Sequence, residues 1–171
     1  MEKKGLITFK GNQLTLIGND LKVGDKAPDF KVVDESLNEV SLKDFEGKIK
    51  IISVTPSLDT PVCDMQARRF EEEATKFSGN VVFLNISVDL PFAISRFCKS
   101  NNIIKIKTLS DYKEKSFGES YGVLIKELQL LSRAVFVLDK ENVVRYVEIV
   151  KEVTEHPNYD VVLAELKKVV D

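Results

Sequence analysis

The sequence holds 171 residues, 43% hydrophobic and 30% charged, which favours one domain spanning residues 1–171 with a real core. A formal net charge of −2, from 25 basic and 27 acidic residues, argues against an electrostatic nucleic-acid partner. No apolar stretch reaches bilayer-spanning length, and Leu6-Ile7-Thr8-Phe9 is too short a run for a signal peptide, so a reducing, cytoplasmic setting is expected.

In chain order, Leu6 to Phe9 and Leu14 to Ile17 flank Lys10-Gly11-Asn12-Gln13 and predict an N-terminal β-hairpin. Phe30 to Val33 and Val40 to Leu42 are short strands around the turn residues Asp34 to Asn38. Ile49 to Val54 is a β-branched strand stopped by Pro56. A helix opens at Thr60-Pro61 and carries Ala67, Phe70, Ala74 and Phe77 on one face. Arg68, Arg69, Glu71, Glu72, Glu73 and Lys76 mostly cover its other face, and Ser78-Gly79-Asn80 ends it. Val81 to Val88 is a second central strand, and Pro91 starts a helix that runs to about Ser100. Thr108 to Ser110 is a short strand, Glu114 to Tyr121 a helix, and Leu124 to Ser132 has no clear assignment. Ala134 to Leu138 and Val143 to Val150 form a hairpin turning at Asp139 to Asn142. Tyr159 to Val170 closes the chain as an amphipathic helix with Val162, Leu163, Leu166 and Val170 inward. This order implies a three-layer α/β/α sandwich with a central βαβ unit, a pattern that fits the thioredoxin-like fold.

Cys63 falls in the first turn of the helix that follows the Ile49 strand. Backbone N–H groups there lack intrahelical partners and the helix dipole is positive. That position favours the thiolate, the nucleophilic form of cysteine, at neutral pH. Strand-to-helix turns at the carboxyl edge of an open α/β sheet are also where ligand sites collect.

These residues carry a resemblance. Pro56, Thr60 and Cys63 match the Pro-x-x-x-Thr-x-x-Cys motif of the peroxiredoxins. The segment from Ser87 to Cys98, SVDLPFAISRFC, resembles the second-cysteine segment of the thiol peroxidase subfamily. Phe9 to Asn12, Gly24 to Phe30 and Ser132-Arg133-Ala134 resemble it too, so the likeness spans nearly the whole chain. The thioredoxin-like fold is implied by the family as well.

Each residue also has a plainer reading. Cys63 could be a small buried apolar group, Thr60 only an N-cap, and Pro56 only a strand terminator. The resemblance implies more: that Thr60 also hydrogen-bonds the peroxide and the cysteine sulfur, and that Pro56 shields that sulfur from water. Arg133 could be a solvated strand end. As the subfamily's arginine it stabilises the thiolate and the charge developing on the peroxide oxygens. Cys98, four residues after Ile94 on an apolar helix face, could be inert core. By resemblance it is the resolving cysteine. The single histidine, His156, precedes Pro157 and reads as a turn residue; with two cysteines it makes no zinc-ligand pattern.

The resemblance thus implies a thioredoxin-dependent peroxidase acting on hydrogen peroxide and organic hydroperoxides. Cys63 passes through a sulfenic acid and forms an intramolecular disulfide with Cys98. No metal, haem or flavin cofactor is called for, and a homodimer is the family's expectation. The alternatives are a thiol-based redox sensor and a thiol–disulfide oxidoreductase without peroxidase turnover, although no Cys-x-x-Cys pair is present.

Overall fold

Side-chain alternation in the central strands sets the architecture. In the structure, a computed structural model describing residues 1–171, the chain runs β1 (Glu2–Phe9), β2 (Asn12–Ile17), β3 (Lys31–Val33), β4 (Glu39–Ser41), β5 (Ile49–Val54), α1 (Pro61–Ala74), β6 (Val81–Ser87), α2 (Pro91–Asn101), β7 (Lys107–Ser110), α3 (Ser116–Ser120), β8 (Leu124–Ile125), β9 (Ala134–Leu138), β10 (Val144–Ile149) and α4 (Tyr159–Val170). A short 3-10 turn, Leu42–Phe45, links β4 to β5.

Seven strands form one mixed sheet in the order β10-β9-β5-β6-β7-β3-β4. β5, β6 and β7 are parallel, and β9 and β10 are an antiparallel hairpin beside β5. Because strand residues alternate faces, Ile49 and Ile51 of β5, Phe83 of β6, and Val135 and Val137 of β9 share one apolar layer. There they meet Ala67 and Phe70 of α1, Ile94 and Cys98 of α2, and Val162 and Leu166 of α4. Ile52, Val54, Leu84, Ile86 and Phe136 face the opposite way, onto Phe30 and onto Phe117 and Tyr121 around α3. The result is the expected α/β/α sandwich of thioredoxin-like type.

The N-terminal hairpin turns at Lys10 and Gly11, both with positive φ (50° and 83°), the conformation of a two-residue type I′ connection. It does not stand alone. β8, within the stretch that has no clear sequence assignment, pairs with β2 through Leu16 and Ile125, giving a second sheet β1-β2-β8.

Some boundaries and faces differ from expectation. α3 is shorter than Glu114 to Tyr121, because Lys115 is left-handed at φ 53°. Val170 is not inward: it is 40% exposed, and Val169 packs on the core instead. Val162, Leu166 and Val169 follow the i, i+4, i+7 stripe, from which Val170 has rotated away. Glu73 is buried despite its charged neighbours, with Arg69 at 3.3 Å and Lys76 at 3.2 Å.

Candidate active site

β5 ends at the sheet's carboxyl edge and the chain crosses to α1 through residues 55–60. Thr60 occupies the N-cap with extended backbone (φ −113°, ψ 150°), and Pro61 is the first helical residue, as the sequence pattern implies. Pro56 is buried beneath this loop. The Thr60 hydroxyl makes no capping bond; it donates to the Ser57 carbonyl at 3.0 Å. Asp89, just beyond β6, holds the same loop: it accepts from the Ser57 hydroxyl at 2.6 Å and from the Leu58 N–H at 2.7 Å.

Cys63 follows in the first turn of α1 and is fully buried. Arg133 reaches it from the start of β9, which pairs with β5 through Ala134 and Val54. The Arg133 guanidinium, 2% exposed, is spread over three acceptors. Nη2 donates to the Cys63 sulfur at 3.2 Å, Nη1 to Gln66 Oε1 at 2.9 Å, and Nε to the Val153 carbonyl at 2.9 Å. A buried arginine with all its facing donors directed is a fixed charge, and the helix N-terminus adds its own positive field at the sulfur. Arg133 is therefore no solvated strand end.

Gln66 is a member of this constellation that the sequence reading passed over. It is fully buried, and its amide nitrogen donates to Ser53 Oγ of β5 at 2.6 Å while its oxygen receives Arg133. A signal was present: positions 63, 66, 67 and 70 form one i, i+3, i+4, i+7 stripe, which puts a glutamine on the buried face. Tyr159, the first residue of α4, also borders the site. Burial pushes its hydroxyl up to about 12, against the pull of the Arg133 and Arg69 charges, so it stays a neutral phenol. It shares a 2.8 Å hydrogen bond with His156 Nδ1.

Cys98 is not brought to Cys63. Both are free thiols. Cys98 faces the core from α2 and shares a 3.1 Å hydrogen bond with Thr108 Oγ1 of β7. Burial pushes its thiol up, only partly offset by that hydrogen bond. Between the two cysteine-bearing helices lies an open cleft of about 540 Å³, walled by Thr60 and Pro61 on one side and by Ala93, Arg96 and Phe97 on the other.

Comparison with known proteins gives the family. The Redoxin family model matches residues 22–163. The chain is 58% identical to the thiol peroxidase of Bacillus subtilis over 90% of this chain and 92% of that protein. It is 52% identical to the thiol peroxidase of Oceanobacillus iheyensis over 95% and 98% of the two chains. Among solved structures, a peroxiredoxin-like protein from Aquifex aeolicus superposes with a TM-score of 0.90 at 43% identity, covering 95% of this chain and 96% of that one. The thiol peroxidase from Chromobacterium violaceum superposes at 0.84 with 25% identity, covering 95% of each. The chain belongs to the Redoxin family, and within it to the thiol peroxidases among the peroxiredoxins.

Proposed function

We propose that this thiol-dependent peroxidase uses Cys63 as its nucleophile and Cys98 as its resolving thiol. Cys63 thiolate attacks the terminal oxygen of a hydroperoxide. The O–O bond breaks, an alkoxide or hydroxide leaves and takes up a proton, and Cys63 becomes a sulfenic acid. The Cys98 sulfur then attacks the Cys63 sulfur, displacing water and forming an intramolecular disulfide. An external dithiol returns both to thiols by exchange through a mixed disulfide. The single observation that carries this reading is the Arg133 Nη2 contact of 3.2 Å to a sulfur in the first turn of a helix.

Arg133 holds charge on the sulfur and on the leaving oxygen, where a preorganised donor has its largest effect. The cleft runs along Thr60 and Pro61, one turn before Cys63, and a peroxide entering it would meet the Thr60 hydroxyl, which could exchange its Ser57 acceptor for the substrate. Pro56, buried under the loop, keeps bulk water from the sulfur. The reading includes hydrogen peroxide and organic hydroperoxides as substrates and thioredoxin as reductant. It also places the protein in the cytoplasm as a homodimer of single-domain chains. Family likeness supports these parts, and no helix is long and apolar enough to cross a membrane.

Peroxide consumption by Cys63→Ser tests the assignment. The variant is expected to keep the wild-type circular dichroism spectrum and to lose thiol-dependent consumption entirely. Consumption at the wild-type rate means that the nucleophile lies elsewhere.

A further inference from the structure

We infer that the N-terminal hairpin is a positioning element for Arg133, with Glu152 as the residue that fastens it. The inference rests on the reading of Arg133 given above.

Two of the three acceptors of the Arg133 guanidinium sit on rigid parts. Cys63 and Gln66 both belong to α1. The third, the Val153 carbonyl that receives Nε, lies between β10 and α4, outside regular helix or strand. An arginine whose Nε is pinned has its two Nη groups aimed, so the placement of this one carbonyl matters to the sulfur contact.

The hairpin supplies what the loop lacks. Thr8 of β1 donates its N–H to the Lys151 carbonyl at 2.7 Å and accepts the Val153 N–H at 2.9 Å, so β1 brackets the segment on both sides of Glu152. Below, the Val153 side chain is buried with Ile7, Leu14, Leu16 and Ile125, all from the small sheet. Above, the Glu152 carboxylate closes the assembly. Oε1 accepts from the Gly11 N–H at the hairpin turn (2.9 Å) and from the Thr8 hydroxyl (3.0 Å). Oε2 accepts from the Thr154 N–H (3.0 Å) and hydroxyl (2.8 Å). Four donors fill the acceptor sites of one carboxylate. The N–H groups of Thr154 and Gly11 hold its pKa down at about 2, so the staple is charged throughout the physiological range. Gly11 can serve as donor there because the turn needs its left-handed conformation, φ 83°.

The chain of contact is therefore hairpin turn, Glu152, Val153 carbonyl, Arg133 Nε, and through the rigid guanidinium to the Cys63 sulfur. Loosening Glu152 leaves every charge in the cluster around Cys63 in place but relaxes its aim. Arg133, from the start of β9, is the charged group in contact with that sulfur, and Tyr159 of α4, which feels the charges of Cys63, Arg133, Arg69 of α1 and Glu148 of β10, lies beside them. Arg133 is the one the staple can move.

The test is the second-order rate of Cys63 oxidation by hydrogen peroxide, followed in a single turnover across pH. Glu152→Gln is expected to lower it about threefold to tenfold at neutral pH, a size typical of residues acting through a partner. The rate profile moves to higher pH, because a less well-placed cation favours the thiolate less. The same substitution in an Arg133→Met background is expected to add nothing. Thr8→Val, which removes one neutral donor from the staple, gives a smaller shift in the same direction and keeps the test valid if Glu152→Gln folds poorly. An equal slowing in both backgrounds, or an unmoved profile in both Glu152→Gln and Thr8→Val, overturns the inference. An unmoved profile in Arg133→Met overturns the reading of Arg133 itself and the inference with it.

Discussion

Cys63 and Cys98 are the same residue, both buried, on successive helices packed against one face of one sheet, yet their surroundings are opposite. The Cys63 sulfur faces a guanidinium at 3.2 Å and a helix N-terminus; the Cys98 sulfur faces a neutral threonine hydroxyl at 3.1 Å and the apolar side chains of the core. Low-dielectric burial disfavours any thiolate, and of the two sulfurs only that of Cys63 touches a fixed cation. Burial alone therefore predicts nothing about a cysteine's reactivity. A second contrast follows from the first. The Cys63 side is cross-linked by Arg133, Gln66, Ser53 and Asp89, whereas Cys98 has only core packing and one hydroxyl contact, from Thr108 of β7.

The contrast can be broken most sharply at Cys98. If it only resolves, Cys98→Ser is expected to leave the first oxidation of Cys63 unchanged and to abolish sustained turnover with a dithiol protein as reductant. Dimedone labelling followed by mass spectrometry should then find Cys63 held as sulfenic acid and, with excess peroxide, driven on to sulfinic acid. Full turnover in this variant would mean that the two cysteines do not divide the work. The next effect is expected at Arg133. Arg133→Met should slow the first oxidation by roughly a hundredfold, the usual cost of removing one donor to a developing oxyanion. Its pH–rate profile should move upward, since the charge that favours thiolate is gone. A wild-type profile would return Cys63 to the same class as Cys98.

Much of this contrast was legible in the sequence, and what was not has a physical cause. Thr60-Pro61 marked the start of α1 and so placed Cys63 in its first turn, because caps and proline act locally. The apolar spacing from Ile94 to Cys98 put the second thiol on a core face, where it lies. Arg133 is reached only through the family resemblance; by its own residues it reads as a solvated strand end, because the pairing of β9 with β5 across the sheet is what brings its guanidinium over α1. Glu152 reaches a turn 141 residues earlier in the chain, at Gly11, and no spacing rule connects two such positions. Leu124 to Ser132 resisted assignment because β8 is two residues long and takes its strand pairing from β2, more than a hundred positions earlier.

The smallest expected effect concerns how Cys98 reaches Cys63. Cys98 sits two turns into α2 from Pro91, roughly 10 Å along the helix axis, while a disulfide needs Cα atoms within about 7 Å. If Cys98 resolves Cys63, α2 is expected to open locally, since the two thiols are free and on separate helices. From sequence, the polar tail Lys99-Ser100-Asn101-Asn102 looks weakly held. The structure shows it better fastened. Asn102 closes the helix in a left-handed cap, and the Ile103 N–H returns to the Cys98 carbonyl at 2.9 Å. Ile103 and Ile106 are buried, with exposed Ile104 between them. Over this segment the Glu71 carboxylate of α1 receives three successive backbone donors: Ile104 N at 2.8 Å, Lys105 N at 2.7 Å and Ile106 N at 2.8 Å. Hydrogen bonds to a charged acceptor are the stronger kind, and here they tie the end of the Cys98 helix to the helix that bears Cys63. Glu71→Ala is expected to remove hydrogen-exchange protection at residues 104–106 in the reduced protein. It should also speed the sulfenic-acid-to-disulfide step about threefold to tenfold, because the closed state has lost part of what holds it. In the wild-type disulfide form, protection should be lost across about Phe92 to Asn102. A disulfide step at wild-type speed, with protection at 104–106 lost, would mean that α2 opens upstream of Ile104 while the Glu71 contacts stay made. The region around Cys98 would then be anchored at both ends, by Asp89 near its start and by Glu71 at its end, and the mobile part of the molecule would shrink to α2 itself.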